Sequence, residues 1–168
     1  VHFEIAQRFS APVGDVEAAF LDPSLLEPIA ALSPLGRPEL LEQVDDGATV
    51  RRRVRYRFTG HLSGPARAIL DPRRLTWVEA STLDRATHRS RIEILADHYP
   101  DRLRCAATVT LAQDAGGTRR AMEGDLRVTA AFVASRVEHA ILAGLRTHAA
   151  AEEQVVQRWL DDHAAGGR

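Results

Sequence analysis

His148 and Glu152 stand one helical turn apart in the one stretch of this chain with sustained helical periodicity. Residues at i and i+4 face each other on a helix, so the two can share a hydrogen bond that raises the imidazole's pKa. Such a pair suits anchoring a ligand hydroxyl or relaying a proton. It equally suits two side chains satisfying each other where a helix meets a sheet rim. Arg52 lies on the side of a strand shared by Val50, Val54, Tyr56 and Phe58. A guanidinium there could grip a carboxylate or phosphate through two parallel hydrogen bonds. The plainer alternative is an arginine that snorkels outward or pairs with a nearby glutamate.

Residues 75–83 alternate Leu75, Trp77, Glu79, Ser81 and Leu83 with Thr76, Val78, Ala80 and Thr82. The pattern leaves open which side is inside. With Trp77 inward, Glu79 becomes an acid or base, or a partner for Arg52. With Trp77 outward, it covers the outer face and Glu79 pairs with a surface arginine. In 87–98, Ile92 and Ile94 mark the inner side, which His88, Ser90 and His98 share. Ten residues of strand separate the two histidines by ~33 Å, too far for one metal ion.

The absences are as informative. All 22 basic residues are arginine, and the chain has neither lysine nor asparagine. That closes Schiff-base chemistry, the P-loop lysine, N-glycosylation and Asn-Gly turns. Codon usage in a GC-rich genome accounts for both gaps. A single cysteine, Cys105, permits no internal disulfide and no cysteine-based zinc site. Histidine-pair metal motifs, a nucleophile elbow and a dinucleotide fingerprint are all missing, so no cofactor and no metal is expected. No apolar run nears a membrane span, and the alternating start does not read as a signal peptide. We therefore expect a cytoplasmic chain without stable membrane insertion.

Residues 1–50 carry two Arg against nine Asp/Glu, whereas residues 51–104 carry thirteen Arg against six. Arg51, Arg53, Arg55 and Arg57 share one strand side, which could meet an acidic partner or nucleic acid. That side lacks the interleaved aromatics that single-strand stacking needs, and outward arginines alternating with acids explain it equally. No nucleic-acid partner is expected. The oligomeric state is not readable.

The elements that must position these residues follow in order. HFEIAQRF at 2–9 alternates as a half-buried strand. Ser10 and Pro12 open a helix over APVGDVEAAFL, and Asp22-Pro23 ends it and begins a second short one. Strands then run to about residue 130, with turns at Asp45-Asp46-Gly47, near Asp84-Arg85, and at Gly116-Gly117. GHLSGPARAILDPRR reads as a loop with a possible helical turn at 66–70. From Ala131 to about His163 a long helix carries an apolar arc of Val133, Val137, Ile141, Gly144, Leu145, Val155, Val156 and Trp159. With 168 residues, one domain over 1–168 is expected.

This order, with the FEIAQRFSAPVGDVEAAFLDP opening, the TWVEA strand and the VVQRWLDD ending, resembles the START-like (SRPBCC) superfamily of polyketide cyclases, lipid-transfer domains and birch-pollen allergens. Within it the chain is most similar to an uncharacterised bacterial domain-of-unknown-function group. The resemblance implies an α+β helix-grip fold: a curved antiparallel sheet of six to seven strands, two short helices after strand 1, and a long C-terminal helix. It also implies an apolar cavity between sheet and helix. Cavity candidates are Arg52, Tyr56, Trp77, Glu79, His88, Ser90, Met122, His148 and Glu152. The expected function is binding or carrying a hydrophobic small molecule, a lipid or polyketide. The alternative is a cyclase or dehydratase working by acid–base catalysis, for which at least two of Tyr56, Glu79, His88 and His148 must converge.

Overall fold

The computed structural model describes residues 1–60, 71–130 and 132–166. The possible helical turn at 66–70 lies outside them. Seven strands form one antiparallel sheet in the order β1-β7-β6-β5-β4-β3-β2, leaving β1 and β2 as its edges. They are β1 (His2–Phe9), β2 (Glu39–Asp45), β3 (Thr49–Arg57), β4 (Thr76–Asp84), β5 (Arg89–Ala96), β6 (Leu103–Asp114) and β7 (Gly117–Val128). Between β1 and β2 come α1 (Val13–Leu21), a 3-10 turn (Pro23–Leu25) and α2 (Leu26–Ala30). A second 3-10 turn (Pro72–Arg74) precedes β4, and the long helix α3 spans Ala134–Gly166. This is the helix-grip architecture.

Local chemistry sets the boundaries. Pro12 precedes α1, and its carbonyl accepts from both Asp15 and Val16 backbone N–H groups. The Asp22 carboxylate caps the next turn through Ser24 N at 2.8 Å, with Pro23 supplying the fixed φ. In the β2–β3 hairpin Gly47 takes φ 86°, and the Asp46 carboxylate accepts from Ala48 N at 3.0 Å and Thr49 N at 2.7 Å. Those bonds hold the Asp46 carboxyl below its ordinary range.

Alternation then decides the faces. On the inner face Phe3, Gln7 and Phe9 of β1 are buried, as are Thr118, Arg120, Gly124 and Leu126 of β7. Gly124 is required there, since a Cβ would stand 2.5 Å from the Ala106 carbonyl oxygen. The helix α3 packs chiefly on β1 and β7, and α1 packs on α3, β6 and β7. One cluster joins Phe9, Val16, Ala19, Leu111, Val156 and Leu160, and a second joins Phe3, Leu126 and Leu142.

The helix buries Leu142, Ala149, Val156 and Leu160, spaced three to four residues apart or multiples of that. The expected arc is therefore displaced: Ile141 is 38% exposed and Gly144 is exposed. Leu142 meets Phe3 and Leu126, and the small Ala149 lets the helix approach β1, so these residues set the seam rather than the bulkier Ile141. At ~1.5 Å per residue α3 is ~50 Å long but only ~10–12 Å across. Seven strands at ~4.8 Å spacing are ~29 Å wide. One helix cannot cover them all.

Candidate functional site

The inner face is least covered over β4 and β5, where half-buried side chains adjoin the buried Val50 and Val54 of β3 and Leu83 of β4. Register resolves the question the alternation left open: Val54 pairs with Glu79 and Glu79 with Ile94, while Tyr56 pairs with Trp77 and Trp77 with Ala96. Trp77 and Glu79 therefore share the concave side with Val54 and Ile94. Val78 points the other way and is buried on the outer side, in register with Arg55 and Leu95. The inner side chains Trp77, Glu79 and Ser81 of β4 are half-buried, as are Ser90, Ile92 and Ile94 of β5. These positions of β4 and β5 thus remain half-buried, as do Ile5 of β1 and Met122 of β7, whereas Phe3, Gln7, Phe9, Arg120 and Leu126 are closed.

Polar groups concentrate beside this apolar wall. Arg52 pairs with Ser81, one inner position from the Val54–Glu79 pair, so the guanidinium and the carboxyl lie diagonally across adjacent strands. Arg52 Nη1 donates to the Phe20 carbonyl at the end of α1. Its Nε is buried without a hydrogen-bond partner, and among the described residues it forms no ion pair. Burial draws its pKa down, while the nearby Tyr56, Glu79 and Asp22 draw it back up. Burial and then the Glu152 carboxylate push Glu79 above the usual carboxylate range, against smaller opposing pulls from Arg52 and Arg120. Tyr56, stacked on Trp77 with centroids 6.0 Å apart, is pushed well above the ordinary phenol range by burial and by Glu79. It keeps its hydroxyl proton across physiological pH.

A second, fully partnered cluster lies within the packed half. Gln7 Nε2 donates to the Ala149 carbonyl at 2.7 Å and to Glu152 Oε2 at 3.0 Å. Arg120 donates to Gln7 Oε1, lies 3.5 Å from Glu152 Oε2, and stacks over the Phe20 ring at 4.3 Å. Gln7 and Arg120 were not among the candidates from the sequence. The signal was present: Gln7 interrupts Phe3-Ile5-Phe9, and Arg120 interrupts Thr118-Met122, each on an alternating buried side.

The remaining candidates fall elsewhere or bind differently. His148 does not pair with Glu152. Its Nδ1 shares a 2.6 Å hydrogen bond with Ser33 Oγ, and Glu152 turns to Gln7 and the charged Arg120. His88 lies in the β4–β5 turn at φ 51° rather than in a strand. It donates to the buried Glu17 at 2.7 Å beside Arg85, tying α1 to the hairpin and leaving the inner wall. β5 likewise ends at Ala96, before His98. Ser90 and Met122 lie on the inner face, in register with Val109 and in contact with the Phe3–Leu126 cluster, respectively. Cys105, opposite Ile94, has its thiol pKa raised by burial.

Two other features lie apart from this wall. A cleft of about 470 Å³ runs between the β1 edge and α3, lined by Glu4, Ile5, Ala6, Arg146 and Glu153 among others. On the outer face, exposed His2, Glu4 and Glu123 bring one potential ligand atom each within 4.8 Å of the others. On the same outer face Arg51, Arg53 and Arg57 are exposed, whereas Arg55 faces Glu39 at 3.6 Å and Asp97 at 3.3 Å. Among the described residues no helix is long and apolar enough to cross a membrane.

Solved structures share this architecture at low identity. The Zhui aromatase/cyclase from Streptomyces sp. R1128 aligns with a TM-score of 0.67 and 15% identity, covering 98% of this chain and 95% of that one. A START superfamily protein from Mycobacterium smegmatis aligns at 0.59 and 13%, covering 94% and 98%. Norcoclaurine synthase from Thalictrum flavum aligns at 0.56 and 19%, covering 93% and 84%. At these identities the likeness is one of fold, and the fold is START-like. No curated protein matches the chain. One family model matches residues 4–160, nearly the whole length, and by that match the chain belongs to the family described as protein of unknown function (DUF2505).

Proposed function

We propose that residues 1–168 act as one START-like domain that binds a hydrophobic small molecule, a lipid or polyketide, against the inner face of β3–β5 beside α3. The observation that carries this is the contrast on a single sheet: Trp77, Ile92 and Ile94 stay half-buried, while Phe3, Phe9 and Leu126 are closed under helices. Apolar side chains left accessible on a concave face gain stability when a ligand removes them from water, at ~25 cal/mol per Å². The aromatase/cyclase and synthase relatives of this fold support a small-molecule role.

The test is native mass spectrometry of the purified chain, followed by solvent extraction. A bound small molecule that extraction releases, leaving a chain that rebinds it, is the expected result. A chain that carries nothing and binds no lipid or apolar dye overturns the reading.

A second reading is acid–base catalysis of the cyclase type. One observation favours it: Tyr56 and Glu79, both with pKa values raised by burial, converge on one face beside Arg52. Arg52 would polarise a carbonyl, and the Glu79 carboxyl would give or take the proton. His88 and His148 have no part in this arrangement. Turnover of an aromatisable poly-β-ketone thioester, lost in Glu79→Gln, would establish it; binding of that compound without turnover would leave the carrier reading. Nucleic acid is not part of either reading, and lack of retention on heparin at low salt checks that.

A further inference from the structure

Building on the reading of the β3–β5 inner face as a binding surface, we propose that its ligand is an amphipathic organic monoanion. Its single acidic head meets the Arg52 guanidinium, and its apolar body lies over Ile92 and Ile94. Three observations lead there.

The first is the arginine itself. Arg52 Nε–H is buried with no acceptor, and among the described residues the one hydrogen bond of its head goes to a neutral peptide carbonyl, that of Phe20. A guanidinium removed from water without a counter-charge is far more costly than one that is paired. An anionic acceptor reaching that N–H gains more than a neutral one.

The second is the charge balance. Arg120, a second inner-face cation, is already matched by Glu152 at 3.5 Å and by Gln7. Glu79 is driven toward its neutral acid by burial and by Glu152. Among the described residues Arg52 is in no ion pair, so a ligand with one negative charge balances it. A dianion would bring its second charge toward Glu152 and Glu79. In its acid form Glu79 can instead donate a hydrogen bond to the same head, as can the Tyr56 hydroxyl.

The third is the distribution of polarity across the strands. Arg52, Tyr56 and Glu79 lie on β3 and β4, whereas the neighbouring inner positions of β5 and β6 are Ile92, Ile94, Ala107 and Cys105. A wall polar at one end and apolar over the next two strands is matched by a molecule with one head and one apolar body.

The experiment compares dodecanoate with methyl dodecanoate as displacers of the neutral dye N-phenyl-1-naphthylamine from the intact chain near neutral pH. The two displacers differ in the charge of the head. Dodecanoate should displace the dye at about 10- to 100-fold lower concentration than the ester. Arg52→Gln should abolish that preference. Arg52→Lys, which keeps the charge, should retain part of it. Because Arg52 also holds Phe20, cooperative melting is recorded for each variant; if Arg52→Gln does not fold, the wild-type comparison and Arg52→Lys decide. Equal displacement by acid and ester on the wild-type chain overturns the monoanion while leaving the binding surface intact. A preference that survives Arg52→Gln in a folded chain overturns the assignment to Arg52. Failure of dye, acid and ester alike to bind overturns this proposal and the binding surface together.

Discussion

Over β1 and β7 the inner side chains Phe3, Gln7, Phe9, Arg120 and Leu126 are all buried, and every polar group among them has a partner. Over β4 and β5 the same alternation presents Trp77, Glu79, Ile92 and Ile94 half-buried, beside an arginine Nε with no acceptor. The sheet is continuous between the two regions, and its hydrogen-bonded register runs unbroken from Phe3 through Gly124, Ala107 and Ile92 to Ser81 and Arg52. What differs is the cover. A helix ~10–12 Å across closes part of a sheet ~29 Å wide, and where it lies decides which residues are core and which are wall. One half gives the fold its stability, and the other is available for binding.

Substitutions in the two halves should therefore separate stability from binding. The largest effect is expected for Arg120→Met, which leaves Glu152 buried without its counter-charge and should cost about 3–5 kcal/mol in urea unfolding. A loss below about 1 kcal/mol would show that the cluster does not hold α3 to the sheet. Next, Leu126→Ala in the packed half should cost about 2–4 kcal/mol, because the cavity it leaves is enclosed. Ile94→Ala, in the same cross-strand row but in the open half, should cost about 1 kcal/mol or less and instead weaken ligand binding. Equal costs at the two sites would erase the distinction between the halves.

A smaller effect, dependent on pH, is expected for Glu79→Gln. The folded-state pKa of Glu79 lies above the ordinary value of 4.5, so the folded chain holds this proton more tightly than the unfolded one. Its stabilising contribution is complete below the unfolded pKa and is lost as pH rises through the folded one. Glu79→Gln keeps the shape without the charge. It should match the wild type in acid and be the more stable of the two at alkaline pH, as read from urea midpoints. A difference independent of pH would place Glu79 in ordinary solvent.

Much of this arrangement was legible in the chain. The alternation of β1, the Asp46-Gly47 turn and the proline-free tail each follow from backbone chemistry that acts within a few residues, and together they define the helix-grip order. The face of β4 was not legible, because Trp77 and Val78 are both apolar and both bury. It is resolved only by pairing with Val54 and Ile94 on neighbouring strands. His88 was misplaced for a related reason: the left-handed turn that removes it from β5 is anchored by Asp84, which accepts from Ala86 and Thr87. His148 and Glu152 do have the spacing of a pair. The competing partners, Ser33 and Arg120, come from segments 115 and 32 residues away, which spacing along a helix cannot reveal. The Gln7–Arg120 cluster could have been found by asking which polar residues interrupt a buried alternation.

The central claim is that the open half of the inner face takes a ligand, and Trp77 can report on it directly. The chain has two tryptophans, so Trp159→Phe leaves Trp77 as the sole emitter. Titrating that variant with N-phenyl-1-naphthylamine should produce saturable energy transfer from Trp77 to the dye at one site per chain, reversed by dodecanoate. Dye binding that leaves Trp77 emission unchanged, or no binding at all, would contradict the account.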